Sequence, residues 1–170
     1  MKQEDFQRCQ VATPREVVGL MWRLAASKRR AQERFANVLD LGAGDARFAS
    51  HTDRYEAYTG VEIDEHKAKS AAVPSSAKVI HADAMKWNVG GYDLCIGNPP
   101  YIRYHGLDAG WREDVLADLQ AATGVGLKRN ANAFVIFLLK ALQQTADDGL
   151  IIQLVPFEWV TRPSSKDLRD

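Results

Sequence analysis

Apolar residues recur along this chain in two rhythms, and the rhythms alternate. Between residues 14 and 26, Val17, Val18, Met21, Trp22 and Ala25 fall at helical spacing, which marks one face of an amphipathic helix. Thr13 as cap, Pro14 at the first helical position and Glu16 at the third give that helix a start signal. Asn37-Val38-Leu39-Asp40-Leu41 reads as a buried strand. A Gly-rich turn and a helix from about Arg47 are expected next. A second strand is expected at 58–63, with Asp64 capping the helix behind it. Further strands are expected at 77–81 and 92–97. Residues 107–126 form a long excursion with one helix at 109–122. Residues 134–145 read as a helix apolar on most faces, and 150–155 as a fifth strand ended by Pro156. Strands alternating with helices predict an α/β fold, a doubly wound and mainly parallel sheet, with ligands at the carboxyl ends of its strands.

Composition changes this picture only at its margins. The 170 residues are 46% hydrophobic and 26% charged, as a single globular domain would be. No repeat, low-complexity block or linker divides them, so residues 1–170 are read as one domain. The longest apolar run, residues 133–139, is too short to span a bilayer. The polar, acidic start has no signal-peptide character. Cys9 and Cys95 lack any paired spacing, which suits a reducing, cytoplasmic setting. His51, His66, His81 and His105 show no metal-ligand spacing, and no metal is expected. Twenty-two basic residues against 22 acidic ones give zero net charge, unlike a self-sufficient nucleic-acid binder.

The chemistry begins at the Gly-rich turn, Asp40-Leu41-Gly42-Ala43-Gly44-Asp45-Ala46-Arg47-Phe48. It lacks the third glycine of a dinucleotide fingerprint and the Gly-Lys-Ser/Thr of a phosphate loop. Small residues at Gly42 and Gly44 let a ligand approach the backbone. The carboxylates of Asp40 and Asp45 disfavour a phosphate and favour an amino-bearing or cationic ligand. A tight turn without a ligand is the alternative. Glu62, 22 residues beyond Asp40 at the end of the second strand, stands where a ribose-binding acid belongs. Asp83, after the third strand, is placed to accept from an adenine amine. Acids after three successive strands, beside a turn with no phosphate features, fit S-adenosylmethionine better than a nucleotide.

Asn98-Pro99-Pro100-Tyr101 directly follows the fourth strand. Two prolines fix their own φ and restrain the residue before each, so the loop is stiff. It can present the Asn98 side-chain oxygen and the Pro99 carbonyl as convergent acceptors. The lone pair of an aromatic amine is delocalised into its ring, which makes it a poor nucleophile. Accepting hydrogen bonds from both of its N–H groups favours a tetrahedral nitrogen and stabilises the charge that develops there, without a general base. Tyr101 offers a flat face for a planar substrate.

These motifs resemble those of the S-adenosylmethionine-dependent adenine-N6 DNA methyltransferases, in the subgroup whose cofactor motifs precede the catalytic motif. Thr13-Pro14-Arg15-Glu16-Val17-Val18 is similar to the family's N-terminal cofactor motif. Gly60-Val61-Glu62-Ile63-Asp64, Ala82-Asp83 and Gly97-Asn98-Pro99-Pro100-Tyr101-Ile102-Arg103 resemble the next three. Asn132-Ala133-Phe134 with Phe137, and residues 149–159, resemble the last two. The resemblance implies a Rossmann-like class I core within a restriction-modification or related system. It implies Thr13 and Asp40 near the methionine end of S-adenosylmethionine, Gly42 and Gly44 lining it, Glu62 on the ribose, and Asp83 and Phe137 facing the adenine. It implies Asn98, Pro99 and Tyr101 as catalytic residues, Pro100 and Arg103 as substrate contacts, and a target adenine flipped out of DNA.

The chain departs from the family pattern at several points. Ala46 stands where many relatives carry a third glycine. Ala84 follows Asp83 where some have an aromatic residue. Ser165 falls where some place an aromatic against the flipped base. The antiparallel hairpin that completes the sheet and the target-recognition domain are expected to be absent. A missing recognition domain or a second chain is therefore an expected partner, and the fifth strand would present an open apolar edge. Two other readings stay open: methylation of another planar nitrogen, in RNA or a protein glutamine, and a non-catalytic fragment of a split enzyme. Arg103-Tyr104-His105, Lys28-Arg29-Arg30 with Arg34, and Lys128-Arg129 are either phosphate contacts or solvated surface. The apolar helix face from Phe134 to Leu142 is expected to be mostly core, with Phe137 its only functional member.

Overall fold

Strand pairing decides where most elements begin. In the computed structural model, which describes residues 12–30, 33–102, 108–127 and 131–157, strand β1 (Phe35–Leu41) starts two residues ahead of the expected boundary. Strand β2 (Tyr55–Glu62) starts three residues ahead, because Phe35 pairs with Tyr55 and Asn37 with Ala57. That extension corrects the expected helix from Arg47. Only a 3₁₀ turn, Arg47–Ser50, fits between Ala46, which is left-handed at φ 56°, and the start of β2.

Before β1, helix α1 (Arg15–Ala26) lies where its periodicity placed it, but its start is different. Pro14 occupies the cap position and no side chain bonds the first turn, so Thr13 is not the cap. The Pro14 carbonyl accepts from Val18 N at 3.0 Å, and the Thr13 hydroxyl is left for another partner. After β2, Asp64 caps helix α2 (Glu65–Ser70), accepting from Lys67 N at 3.1 Å. Then follow β3 (Ala77–His81), a 3₁₀ turn at Ala84–Lys86, and β4 (Tyr92–Gly97). Helix α3 (Ala109–Thr123) is capped by Asp108 and stopped by Gly124 at φ 73°. Helix α4 (Ala133–Gln144) runs straight into β5 (Thr145–Gln153). This last strand begins earlier and ends sooner than expected, because Thr145 pairs with Tyr92 while Leu150 pairs with Leu94. Residues 146–149 are accommodated as an irregularity between those two pairs.

All four pairings are parallel, and the strand order is β3-β2-β1-β4-β5. The chain leaves β1 toward one edge and reaches β4 on its other side, so the carboxyl ends of β1 and β4 bound a crevice. Two cores cover the sheet faces. Leu39, Leu41, Val61 and Cys95 pack with α3 and α4. Val38, Tyr55, Tyr58, Leu94 and Ile96 pack with α1 and the 3₁₀ turn that follows the Gly-rich segment. Trp22 joins α1 to that turn by donating from Nε1 to Phe48 O at 3.1 Å, which sets the height of Thr13 above the sheet.

Two surface expectations change. Leu142 is 47% exposed rather than core, and on the same helix the Lys140 amine is buried. That amine donates to Asn88 Oδ1 and Gln143 Oε1, and burial pushes it down to about 8. The basic cluster after α1 is engaged locally: Arg29 pairs with Glu33 and lies over the Phe35 ring, and Arg34 donates to the carbonyls of Thr52 and Tyr55. Arg103, Tyr104, His105, Lys128, Arg129, Ser165 and Cys9 lie outside the described residues. Among the described residues, no helix is long and apolar enough to cross a membrane.

Candidate active site

At the carboxyl ends of β1, β2 and β4 lies a cavity of about 280 Å³. Thr13, Asp40, Gly42, Gly44, Glu62, Asp83, Asn98, Pro99, Pro100, Tyr101 and Phe137 all line it. Residues separated by more than 120 positions thus converge on one space, and Arg103 is the one sequence-derived site residue outside the described set.

The Gly-rich turn forms the floor. Gly42 and Gly44 have φ of 78° and 58°, backbone that a side chain adopts only at a cost of roughly 1–2 kcal/mol. Ala46 meets that cost as the third left-handed residue of the turn, so the departure from glycine changes the side chain and not the path of the chain. The amides of Gly42 and Ala43 both donate to Val61 O, at 2.8 and 3.1 Å, and lay the turn on β2. Gly60 permits this approach, since a Cβ there would come within 2.8 Å of the Ala43 methyl.

The acids are held by backbone. Glu62 is 1% exposed and accepts from Gly44 N at 2.7 Å through Oε2 and from Asp64 N at 2.9 Å through Oε1. Each carboxylate oxygen has a second lone pair to offer. Asp83 accepts from Met85 N at 2.9 Å and so caps the turn after β3. Asp40, also 1% exposed, accepts from the Tyr58 hydroxyl at 2.6 Å through Oδ2. Burial pushes the Asp40 carboxyl up to about 7; Tyr58 opposes the shift, while Glu62 and Asp45 add to it.

The residues of the loop after β4 are fastened at both ends. Asn98 Nδ2 donates to Thr13 Oγ1 at 3.1 Å, which turns the side-chain carbonyl the other way. The Tyr101 hydroxyl donates to Leu154 O at 2.9 Å, and Leu154 N donates to Gly97 O at 3.0 Å, so the residues after β5 hold the loop after β4. Thr13 is gripped from the other side by Arg47, whose guanidinium donates to Thr13 O at 2.9 Å and to Asp45 Oδ2 at 2.7 Å. Sequence reading left Arg47, Lys67 and Tyr58 out of the site, although Arg47 and Lys67 line the cavity. The signal for Tyr58 is its strand register: Val38 pairs with Tyr58 and Asp40 with Gly60, so Tyr58 and Asp40 share a face.

Thr13→Ala removes the Asn98 partner without touching the loop backbone. A neutral hydrogen bond contributes about 1 kcal/mol, so the turnover rate of an active enzyme is expected to fall about five- to tenfold, with cofactor affinity changed less than threefold. Steady-state rates together with calorimetric binding check this, and an unchanged rate refutes a positioning role for Thr13.

Comparison with known proteins defines the class and then the family. The fold is that of the class I methyltransferases: the chain superposes with a TM-score of 0.67 on a candidate class I S-adenosylmethionine-dependent methyltransferase from Listeria monocytogenes, at 18% identity, covering 99% of this chain and 51% of that one. It superposes at 0.75 on the type IIG restriction endonuclease BpuSI, at 15% identity, covering 94% of this chain and 21% of that one. The sequence pattern of the Eco57I restriction-modification methylases matches residues 25–170. The chain belongs to the Eco57I restriction-modification methylase family. Type II methyltransferase M.AccI of Acinetobacter calcoaceticus is 28% identical over 75 residues, 44% of this chain and 13% of that protein. The chain therefore spans a small part of the length of these longer relatives.

Proposed function

We propose that this chain transfers the methyl group of S-adenosylmethionine to the N6 amine of adenine in DNA, as the catalytic core of a cytoplasmic restriction-modification system. The observation that carries the reading is the placement of Asn98-Pro99-Pro100-Tyr101 in the same cavity as the Gly-rich turn, Glu62 and Asp83. Acceptors for an aromatic amine thus adjoin a pocket with the features of an adenosyl site. Glu62 offers its remaining lone pairs to the ribose hydroxyls, and Asp83 and Phe137 flank the adenine. Thr13 and Asp40 stand at the methionine end, with Gly42 and Gly44 beside the ligand. The bound cofactor supplies the electrophilic methyl group.

The protein's own work is orientation and electrostatics. Asn98, turned by Thr13, and the Pro99 carbonyl accept from the two N–H groups of the target amine. Pro100 keeps the loop rigid, Tyr101 stacks on the base with its hydroxyl anchored to Leu154, and Arg103 contacts the nucleic acid. A flipped base is required because the amine is out of reach inside the stack. Target recognition is assigned to a further domain or a second chain. The zero net charge and the much greater length of the relatives support that division, since a separate module would supply the basic groove.

The test is transfer of labelled methyl to unmethylated genomic DNA, with and without a recognition subunit, followed by nucleoside analysis. Label in N6-methyladenine is expected. Label confined to RNA or to glutamine in protein would overturn the DNA assignment. Absence of S-adenosylmethionine binding by calorimetry would overturn the cofactor assignment as well.

A further inference from the structure

Unlike Glu62 and Asp83, which accept from backbone amides, the buried Asp40 is held by a side-chain hydroxyl. Its partner, Tyr58, is 1% exposed, and burial together with the nearby Asp40 carboxylate keeps the phenol well above its ordinary range, so it remains a donor. Two glycines clear the space for this pair. Gly60 lies between them in register, and a Cβ there would stand 3.4 Å from Tyr58 Cε1. The ring therefore leans along β2 to reach a carboxylate two positions further on across the sheet. On the other side, a Cβ on Gly97 would collide with Asp40 Oδ1. That oxygen is buried and has no hydrogen-bond donor among the described residues. Gly97 immediately precedes Asn98, so this carboxylate oxygen sits at the junction between the cofactor pocket and the catalytic loop.

We infer that Tyr58 is a positioning residue for the cofactor: its hydroxyl fixes the rotation of the Asp40 carboxylate, reserving Oδ1 for a cationic or amine group of the bound ligand. A buried carboxylate with one oxygen unsatisfied is costly alone and favourable once a donor arrives. The inference rests on the S-adenosylmethionine reading for the identity of that group. The charges facing Asp40 are Glu62 at the end of β2 and Asp45 in the turn, and both oppose its ionisation. Arg47 and Lys67 line the same cavity. Among the described residues, Tyr58 is the one neighbour whose hydrogen bond favours the ionised form of Asp40.

Tyr58→Phe removes the hydroxyl and keeps the ring, which packs on Tyr55 at 5.6 Å between centroids. In calorimetry with S-adenosylmethionine between pH 5.5 and 8.5, the variant is expected to bind about tenfold more weakly near neutrality. The pH midpoint of its binding should move upward, because loss of the donor raises the Asp40 pKa. Against an Asp40→Asn background the same change should cost less than twofold. In the absence of ligand, urea unfolding should show the pH-dependent part of stability extending to higher pH in the variant. Wild-type binding with an unshifted Tyr58→Phe profile, or an equal loss in the Asp40→Asn background, overturns the positioning role and leaves the cofactor reading standing. No binding by the wild type overturns both.

Discussion

Asn98→Ala is expected to lower methyl transfer by about 10³-fold while S-adenosylmethionine affinity stays within about threefold. Preorganised acceptors aimed at developing charge are among the largest single contributions in catalysis, and losing one typically costs 10²–10³ in rate. In the proposed reaction the target amine is a poor nucleophile until its lone pair leaves the ring, and that work would fall to two acceptors, of which the Pro99 carbonyl alone would remain. The backbone should survive, because the prolines fix the loop and Tyr101 still reaches Leu154. Single-turnover rates and calorimetry separate the two effects. A loss below tenfold, or one matched by a loss of cofactor affinity, would remove Asn98 from the chemistry.

The second large effect is on stability and its dependence on pH. The Asp40 carboxyl is raised from an ordinary 3.8 to about 7 in the fold. Between those values the folded chain holds a proton that the unfolded chain has released. The contribution is therefore complete below the unfolded pKa, declines as pH rises, and levels off above about 7. The slope is about 1.4 kcal/mol per pH unit. Asp40→Asn keeps an acceptor for Tyr58 and removes the titration. Its stability relative to wild type should rise by about 2–3 kcal/mol between pH 5 and pH 8, read from urea unfolding at each pH. The same variant should bind the cofactor poorly, a trade of function against stability. Parallel stability curves for the two proteins would refute the raised Asp40 carboxyl.

Much of this was legible in the order of residues. Strand cores such as residues 92–97 are short apolar runs between turn signals, and pairing moves only the ends of some of them. Helix α1 is legible from its periodicity, whereas the Asp108 cap and Gly124 stop that bound α3 emerge only in the structure. What escaped depends on register or on competition between elements. Residues 47–50 open like a helix, but β2 claims the chain from Tyr55 to continue pairing with β1, and Ala46 turns left-handed. Thr13 reads as a cap because hydroxyls suit that position; the structure instead gives its hydroxyl to Asn98, 85 residues away. Tyr58 looks like any buried strand aromatic until Asp40 is set beside it by the β1–β2 pairing. Asp40, Glu62, Asp83 and Asn98 are legible because each sits at or just beyond a strand end, where the fold's topology gathers side chains irrespective of their distance along the chain. Thr13 and Phe137 lie elsewhere and are reached only through the family resemblance.

The fastening of the loop after β4 by residues that follow β5 also has a kinetic side. The Gly-rich turn, Glu62 and the Asp83 turn depend on contacts within β1, β2, β3 and their connections, so that half of the site can form early and locally. The Asn98–Tyr101 loop reaches its final geometry only when Leu154 has docked, after a loop closure of 53 residues to Tyr101. Contacts of that separation come late, since chain entropy is lost before they return any stability. During synthesis the pocket for a ligand would thus precede the loop proposed to act on a base, and a nascent chain would hold its small-molecule site before it gained the order needed for chemistry.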